Sequence, residues 1–143
     1  MQFNLDRDSS SYTIRAYSPG AISITLPAAG DPLAAKPLEM EQISSSFIIS
    51  PKRLVRDWPV SVIEDLQMAH LEILAEFEPE VVLLGTGASL VFPAQELMIP
   101  LLSQGIGVEV MDTAAACRTY NILMTEGRGV VAALINQVLS AEC

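Results

Sequence analysis

Cysteine, histidine and cations are all scarce in this sequence. Two cysteines, Cys117 and Cys143, among 143 residues exclude a disulfide framework and a cysteine-rich metal cluster; reduced thiols in a cytoplasm suit them better. The single histidine, His70, excludes histidine-rich zinc sites. Eight Lys and Arg stand against seventeen Asp and Glu, a formal net charge of −9. Such a chain repels phosphate backbones and anionic lipid, so nucleic acid is not an expected partner. The nearest basic cluster, Lys52, Arg53 and Arg56, reads as a solvated loop. The longest apolar runs, residues 81–84 and 129–135, are far too short to cross a bilayer. Residues 1–5 offer neither a basic n-region nor an apolar h-region. No integral membrane segment and a cytoplasmic location are therefore expected.

Apolar residues, by contrast, are plentiful. Half of the chain is hydrophobic and the mean hydropathy is +0.39, which suggests strands buried on both faces or an oligomer interface. The length is that of one domain, so residues 1–143 are taken as a single unit with a loose, serine-rich terminus over 1–11.

The pattern reads as β first and β-α afterwards. Residues 12–17 and 21–26 alternate around Ser18-Pro19-Gly20, a β-hairpin. Residues 27–37 look like a loop. Short strands are expected over 38–43 and 46–50. Ser61 with Glu64 three residues on forms a capping-box pattern, and apolar spacing predicts a helix over 62–77, ended by Pro79. The run 81–84 reads as a buried strand. A helix over 94–104 is expected, with Pro93 at its first position and Pro100 as a kink or stop. Residues 108–111 form the next strand. Asp112 or Thr113 caps a helix to about Glu126, with Gly127 as its C-terminal stop. A last strand, or a helix reaching Leu139, begins at Val130. This order argues for an α/β fold with a parallel or mixed sheet.

The candidate site residues gather around two strand ends and one helix. Gly85-Thr86-Gly87 follows a buried strand, where ligands of open α/β sheets sit. It lacks the third glycine of a dinucleotide fingerprint and the Walker lysine, so a tight turn and a ligand contact both remain open. Glu109 on an apolar strand needs a partner, and Arg118 and Arg128 are candidates. Arg118 and Asn121 share one helix face, and Cys117, Tyr120 and Met124 share another, apolar one. Cys117 reads as a small buried hydrophobe, His70 as a core or boundary residue, and Trp58 as a packing residue. No cofactor is implied.

Trp58, Val81-Val-Leu-Leu-Gly-Thr-Gly87, Gly105-Ile-Gly-Val-Glu-Val-Met-Asp-Thr113, Ala115-Ala-Cys-Arg-Thr-Tyr-Asn-Ile-Leu123 and Glu126-Gly-Arg128 together resemble one family. It comprises bacterial and archaeal proteins related to the mitochondrial NADH:ubiquinone oxidoreductase complex assembly factor 3, and it includes an adipogenesis-associated protein of animals. The resemblance implies a three-layer α/β fold: a central mixed sheet with helices on it and an extra N-terminal β-hairpin layer. It maps the family's motif onto Gly85, Thr86, Gly87, Glu109, Thr113, Arg118, Tyr120, Asn121, Glu126 and Arg128, without assigning catalytic roles.

Three functions are compatible with these residues. One is a non-catalytic, assembly factor-like protein with a partner protein, linked to biogenesis of a respiratory or membrane complex. Another is an enzyme or small anionic-ligand binder, sited between the Gly85–Gly87 turn and Arg118. The third is a structural module forming a homodimer through a sheet edge.

Overall fold

A computed structural model describes residues 11–27 and 39–136. The expectations for residues 1–10, for the loop over 28–37, for Leu38 and for a last element reaching Leu139 lie outside the described residues.

A five-stranded mixed sheet forms the centre. Its strands are β4 (Phe47–Ile49), β5 (Leu54–Val55), β6 (Val81–Gly85), β7 (Gly107–Met111) and β8 (Val130–Leu134), in the order β5-β4-β8-β6-β7. β6 pairs in parallel with both β7 and β8, and β4 pairs antiparallel with β8 and β5. The inner strands β6 and β8 are buried at every position, because apolar side chains alternate to two separate cores. Val81 and Leu83, with Val130, Ala132 and Leu134, face one core. Val82 and Leu84, with Val131, Ala133 and Ile135, face the other.

The first core is closed by helix α3 (Thr113–Thr125) and by a second, antiparallel sheet of β1 (Thr13–Ser18), β2 (Ala21–Thr25) and β3 (Met40–Ile43). The expected hairpin is thus two strands of a three-stranded layer. Ile14, Ile22, Ile24 and Ile43 project from it onto Cys117 and Tyr120 of α3 and onto Phe47 and Leu83 of the central sheet. The second core is closed by short helical pieces, α1 (Met68–Glu72) and α2 (Ile99–Leu102) and the 3-10 turns beside them.

The two helices predicted on this second face are both broken. In place of a helix over 62–77 there are a 3-10 turn (Ile63–Asp65), α1 and a second 3-10 turn (Ile73–Phe77). Leu66 is extended, with ψ 129°, which interrupts the ladder. The buried Leu71 and Leu74 and the partly buried Phe77 recur every third residue, and a three-residue period is that of a 3-10 helix. The capping box is formed by Gln67 and His70, not by Ser61 and Glu64: the helix restarts after Leu66, and the first turn, behind Val62, has no side-chain cap. The segment over 94–104 splits likewise into a 3-10 turn (Gln95–Met98) and α2. Pro100 lacks an N–H and is tolerated only in a first turn, so the helix begins anew beside it.

α3 keeps its predicted bounds within a residue. Asp112 is the N-cap and accepts a hydrogen bond from Ala115 N at 2.8 Å, while Gly127 takes φ 80° after the C-terminus, a conformation that glycine adopts without strain. α3 also secures the free edge of β1. Asn121 Oδ1 accepts from Ile14 N at 3.0 Å, and Asn121 Nδ2 donates to Ile14 O at 2.6 Å. Tyr120 Oη donates to Tyr12 O at 2.8 Å. An exposed strand edge is a template for unwanted pairing, and here a helix side chain takes the place of a neighbouring strand.

Asn121→Ala removes both bonds to Ile14 and should cost about 1–3 kcal/mol. Hydrogen exchange at the Ile14 amide should accelerate more than exchange in β6. Equal protection at Ile14 in both proteins would refute the clamp.

The strand ends and the α3 cleft as candidate functional site

β6, β7 and β8 are parallel, so their C-terminal ends meet on one side of the sheet. Thr113, the first residue of α3, sits where they meet. Its Oγ1 accepts from Gly87 N at 2.9 Å and donates to Ile135 O at 2.8 Å, and its backbone N donates to Gly87 O at 2.9 Å. Thr113 is fully buried, and one hydroxyl satisfies two backbone groups from different strand ends. Gly85 makes room for it. A Cβ at Gly85 would lie 2.8 Å from Thr113 Oγ1 and 3.0 Å from Thr113 Cα, closer than non-bonded atoms approach.

Thr86 is buried next to this junction. Its Oγ1 donates to Ser89 O at 2.7 Å and accepts from Val91 N at 3.2 Å. That hydroxyl holds the following loop, which turns Leu90, Val91 and Phe92 outward; Phe92 is 72% exposed. Gly87, at φ 110°, allows the turn. The polar atoms of Gly85-Thr86-Gly87 that are described above are therefore spent on protein partners.

The other candidates are spread over the molecule. Arg118 and Asn121 line a cleft of about 300 Å³ between β1 and α3, together with Arg15, Tyr17, Ala114 and Cys117. Gly85, Thr86 and Gly87 are not among the residues that line this cleft. Arg118 lies five residues along α3 from Thr113, about 7.5 Å of helix. Tyr120 is fully buried, and Cys117 and Met124 lie with it against the same core, the apolar face expected of them. Glu109 is exposed on the edge strand β7, in register with Leu83. Arg128 does not pair with it: Arg128 Nε bonds Glu80 Oε1 at 2.8 Å. Glu126 and Arg128 follow the C-terminus of α3, at the other end of the sheet from Thr113. A strand edge leaves one face of Glu109 in water, so its charge needs no buried partner.

Trp58 is a packing residue, donating from Nε1 to His70 O at 3.3 Å. His70 is a boundary residue whose Nδ1 accepts from Gln67 N at 2.9 Å, its ring edge-on to Trp58 at 6.3 Å. In the basic cluster, Arg53 stacks over Phe77 at 4.1 Å and Arg56 forms a two-point ion pair with Glu41. That pair holds the Glu41 carboxyl below its usual range, the hydrogen bond from Arg56 being the main cause. Burial pushes the Cys117 thiol up from 9.0 to about 12, Arg118 opposing and Asp112 adding to the shift. Burial pushes the Tyr120 phenol up as well. Among the described residues, no group of three His, Cys, Asp or Glu side chains could hold a metal ion.

Sequence reading missed Arg15, Tyr17, Ser46 and Asn136. Ser46 Oγ donates to Val60 O at 2.6 Å and accepts from Asn136 N at 2.9 Å. Asn136 Nδ2 donates to Ile43 O and Ser45 O, while its Oδ1 is buried without a hydrogen-bond partner. A polar residue directly after the apolar run of β8 was the available signal.

A family model described as "Protein of unknown function (DUF498/DUF598)" matches residues 14–135. The crystal structure of a Bordetella parapertussis protein is similar with a TM-score of 0.75, at 37% identity, over 90% of this chain and 98% of that one. The 13 kDa major membrane protein of Francisella tularensis is 33% identical over 73 residues, 51% of this chain and 59% of its own length. The NADH dehydrogenase (ubiquinone) 1 alpha subcomplex assembly factor 3 of Danio rerio is 40% identical over 83 residues, 57% of this chain and 48% of its own. The chain spans about half the length of the curated relatives it matches.

Two tests address this geometry. Thr113→Val strands two buried backbone groups and should cost about 2–5 kcal/mol, whereas Thr113→Ser should retain most of the stability in denaturant melts. Equal losses in the two variants would contradict the bridging role. For Cys117, the folded thiol ionises near 12 and the unfolded one near 9. Its contribution is complete below pH 9 and is lost as pH rises towards 12, by at most about 4 kcal/mol. Stability should thus fall across that window, and less steeply in Cys117→Ala. An unchanged slope in that variant would exclude the thiol as its source.

Proposed function

The chain belongs to the DUF498/DUF598 protein family, and on that footing we propose that it is a non-catalytic, protein-binding factor that assists assembly of a respiratory or other membrane complex. The Danio rerio relative is an NADH dehydrogenase (ubiquinone) 1 alpha subcomplex assembly factor, and 57% of this chain aligns with it at 40% identity. In this reading the chain works in the cytoplasm and reaches a membrane complex through contact with its protein subunits. Among the described residues no helix is long and apolar enough to cross a membrane.

One observation carries the proposal: the outward apolar run Leu90-Val91-Phe92. Ile99 and Leu102, one turn apart on α2, are also about half exposed. Exposed large apolar side chains held on a rigid turn mark a protein contact more often than they mark catalysis. Thr86 fixes that turn, which gives the Gly-Thr-Gly motif a role in presentation. Aromatic anchors such as Phe92 dominate interface energetics when they enter a partner's pocket.

Affinity capture from the source cell should return subunits of a membrane-associated complex reproducibly. Phe92→Ser with Leu90→Ser should abolish that capture and leave the melting temperature within a few degrees, since both side chains face water. Capture of no such subunit, or capture that survives the double substitution, would end the proposal.

A further inference from the structure

The cleft between β1 and α3 has features that the protein-binding reading does not use. Arg15 and Arg118 reach it from opposite walls, one from the strand and one from the helix. Among the described residues, the ion pairs engage Arg56 and Arg128, and Arg15 and Arg118 have none. Unpaired guanidinium groups sharing one cleft are unusual in a chain with seventeen acids and eight bases, where carboxylates are in surplus to neutralise them.

The backbone builds this arrangement. β1 pairs regularly with β2 except between Ile14 and Ala16, where the register slips at Arg15. Such a bulge re-aims the side chain it carries, and bulges concentrate beside binding sites. Asn121 holds Ile14 through both of its amide atoms, so the bulge is fixed against α3. The floor is neutral and partly apolar: Ala114, the ring of Tyr17 and the protonated thiol of Cys117. Burial raises the Tyr17 phenol too, with Cys117 and Asp112 adding to the effect, so its hydroxyl is a donor at neutral pH. Among the described residues, Asp112 acts on Tyr17 and Cys117 of the cleft, and its carboxylate already accepts from Ala115 N. Glu41, beside Arg15 in the adjoining hollow, is paired with Arg56. Among the described residues, two arginines thus face one unpaired aspartate, a surplus of one positive charge.

We propose that this cleft binds a monocarboxylate with a short apolar body, its carboxylate held between Arg15 and Arg118. Guanidinium groups match a carboxylate through paired N–H donors. The single surplus charge fits a monoanion, and a dianionic phosphate would meet Asp112 without a compensating cation. A volume of about 300 Å³ lies at the lower end of small-molecule sites, room for a chain or ring of several carbons. The apolar floor supplies the remaining contact.

The purified chain, labelled with nitrogen-15, is titrated with hexanoate, acetate and inorganic phosphate while its amide signals are followed. Hexanoate should shift signals from Arg15 to Ser18 and from Ala114 to Asn121 and then saturate. Acetate should bind at least tenfold more weakly, because it lacks the apolar body. Arg118→Gln and Arg15→Gln should each weaken hexanoate about tenfold or more without lowering the melting temperature, since neither guanidinium has an ion-pair partner among the described residues. No saturable shift with hexanoate would overturn the proposal, as would unaltered binding in the double variant or tighter binding of phosphate than of hexanoate. The titration uses the isolated chain, so its failure leaves the partner-protein reading standing.

Discussion

The hydroxyl of Thr113 is the point on which this structure turns. It stands where three parallel strands end and the longest helix begins, and it joins Gly87 to Ile135 through two hydrogen bonds. Backbone groups at strand ends have lost their ladder partners, and when buried they must find others. A single side chain that both accepts and donates resolves the problem for two chain segments at once. Gly85 leaves the space that this hydroxyl occupies. The start of α3 is thereby fixed to the sheet, and everything α3 carries is fixed with it.

Two consequences follow along α3. Tyr120 and Asn121 reach across to β1 and hold its free edge, which ties the three-stranded layer to the central sheet. The same grip fixes the bulge at Arg15 and so shapes the cleft. In the opposite direction, Thr86 beside the junction pins the loop that exposes Leu90, Val91 and Phe92. The exposed apolar loop and the arginine-lined cleft therefore depend on one buried knot without sharing any residue of it. The far end of α3, with Arg128 and its ion pair to Glu80, serves the closing turn into β8.

The two faces of the central sheet were unequally legible. On the α3 side, periodicity, the Asp112 cap and the Gly127 stop all agree, and the helix lies within a residue of its expected bounds. Consistency of local signals with the tertiary fold makes an element readable. On the other face, the apolar residues at 71, 74 and 77 fit both a 3.6-residue and a three-residue period over so short a span. Only packing onto the sheet decides between them, and Pro100 adds a restart that spacing alone does not locate. The site residues were legible as a motif but not as a constellation. Thr86 and Arg118 belong to the same matched stretch, yet one secures a loop and the other lines a cleft beside β1.

By itself the sequence determined the α/β class, the strands buried on both sides, the limits of α3 and its apolar face, because these rest on period, capping and turn chemistry that act within a few residues. Its motif also determined membership of the family. Only the tertiary structure decided that Glu109 stays in water, that Arg128 pairs with Glu80, that the Gly87 N–H is taken up by the Thr113 hydroxyl, and that Arg15 and Arg118 line one cleft. Those outcomes depend on which strand forms an edge, where a register slips and which distant backbone group a hydroxyl finds. Such pairings join residues tens of positions apart, and local physics places no constraint on them until the sheet has formed.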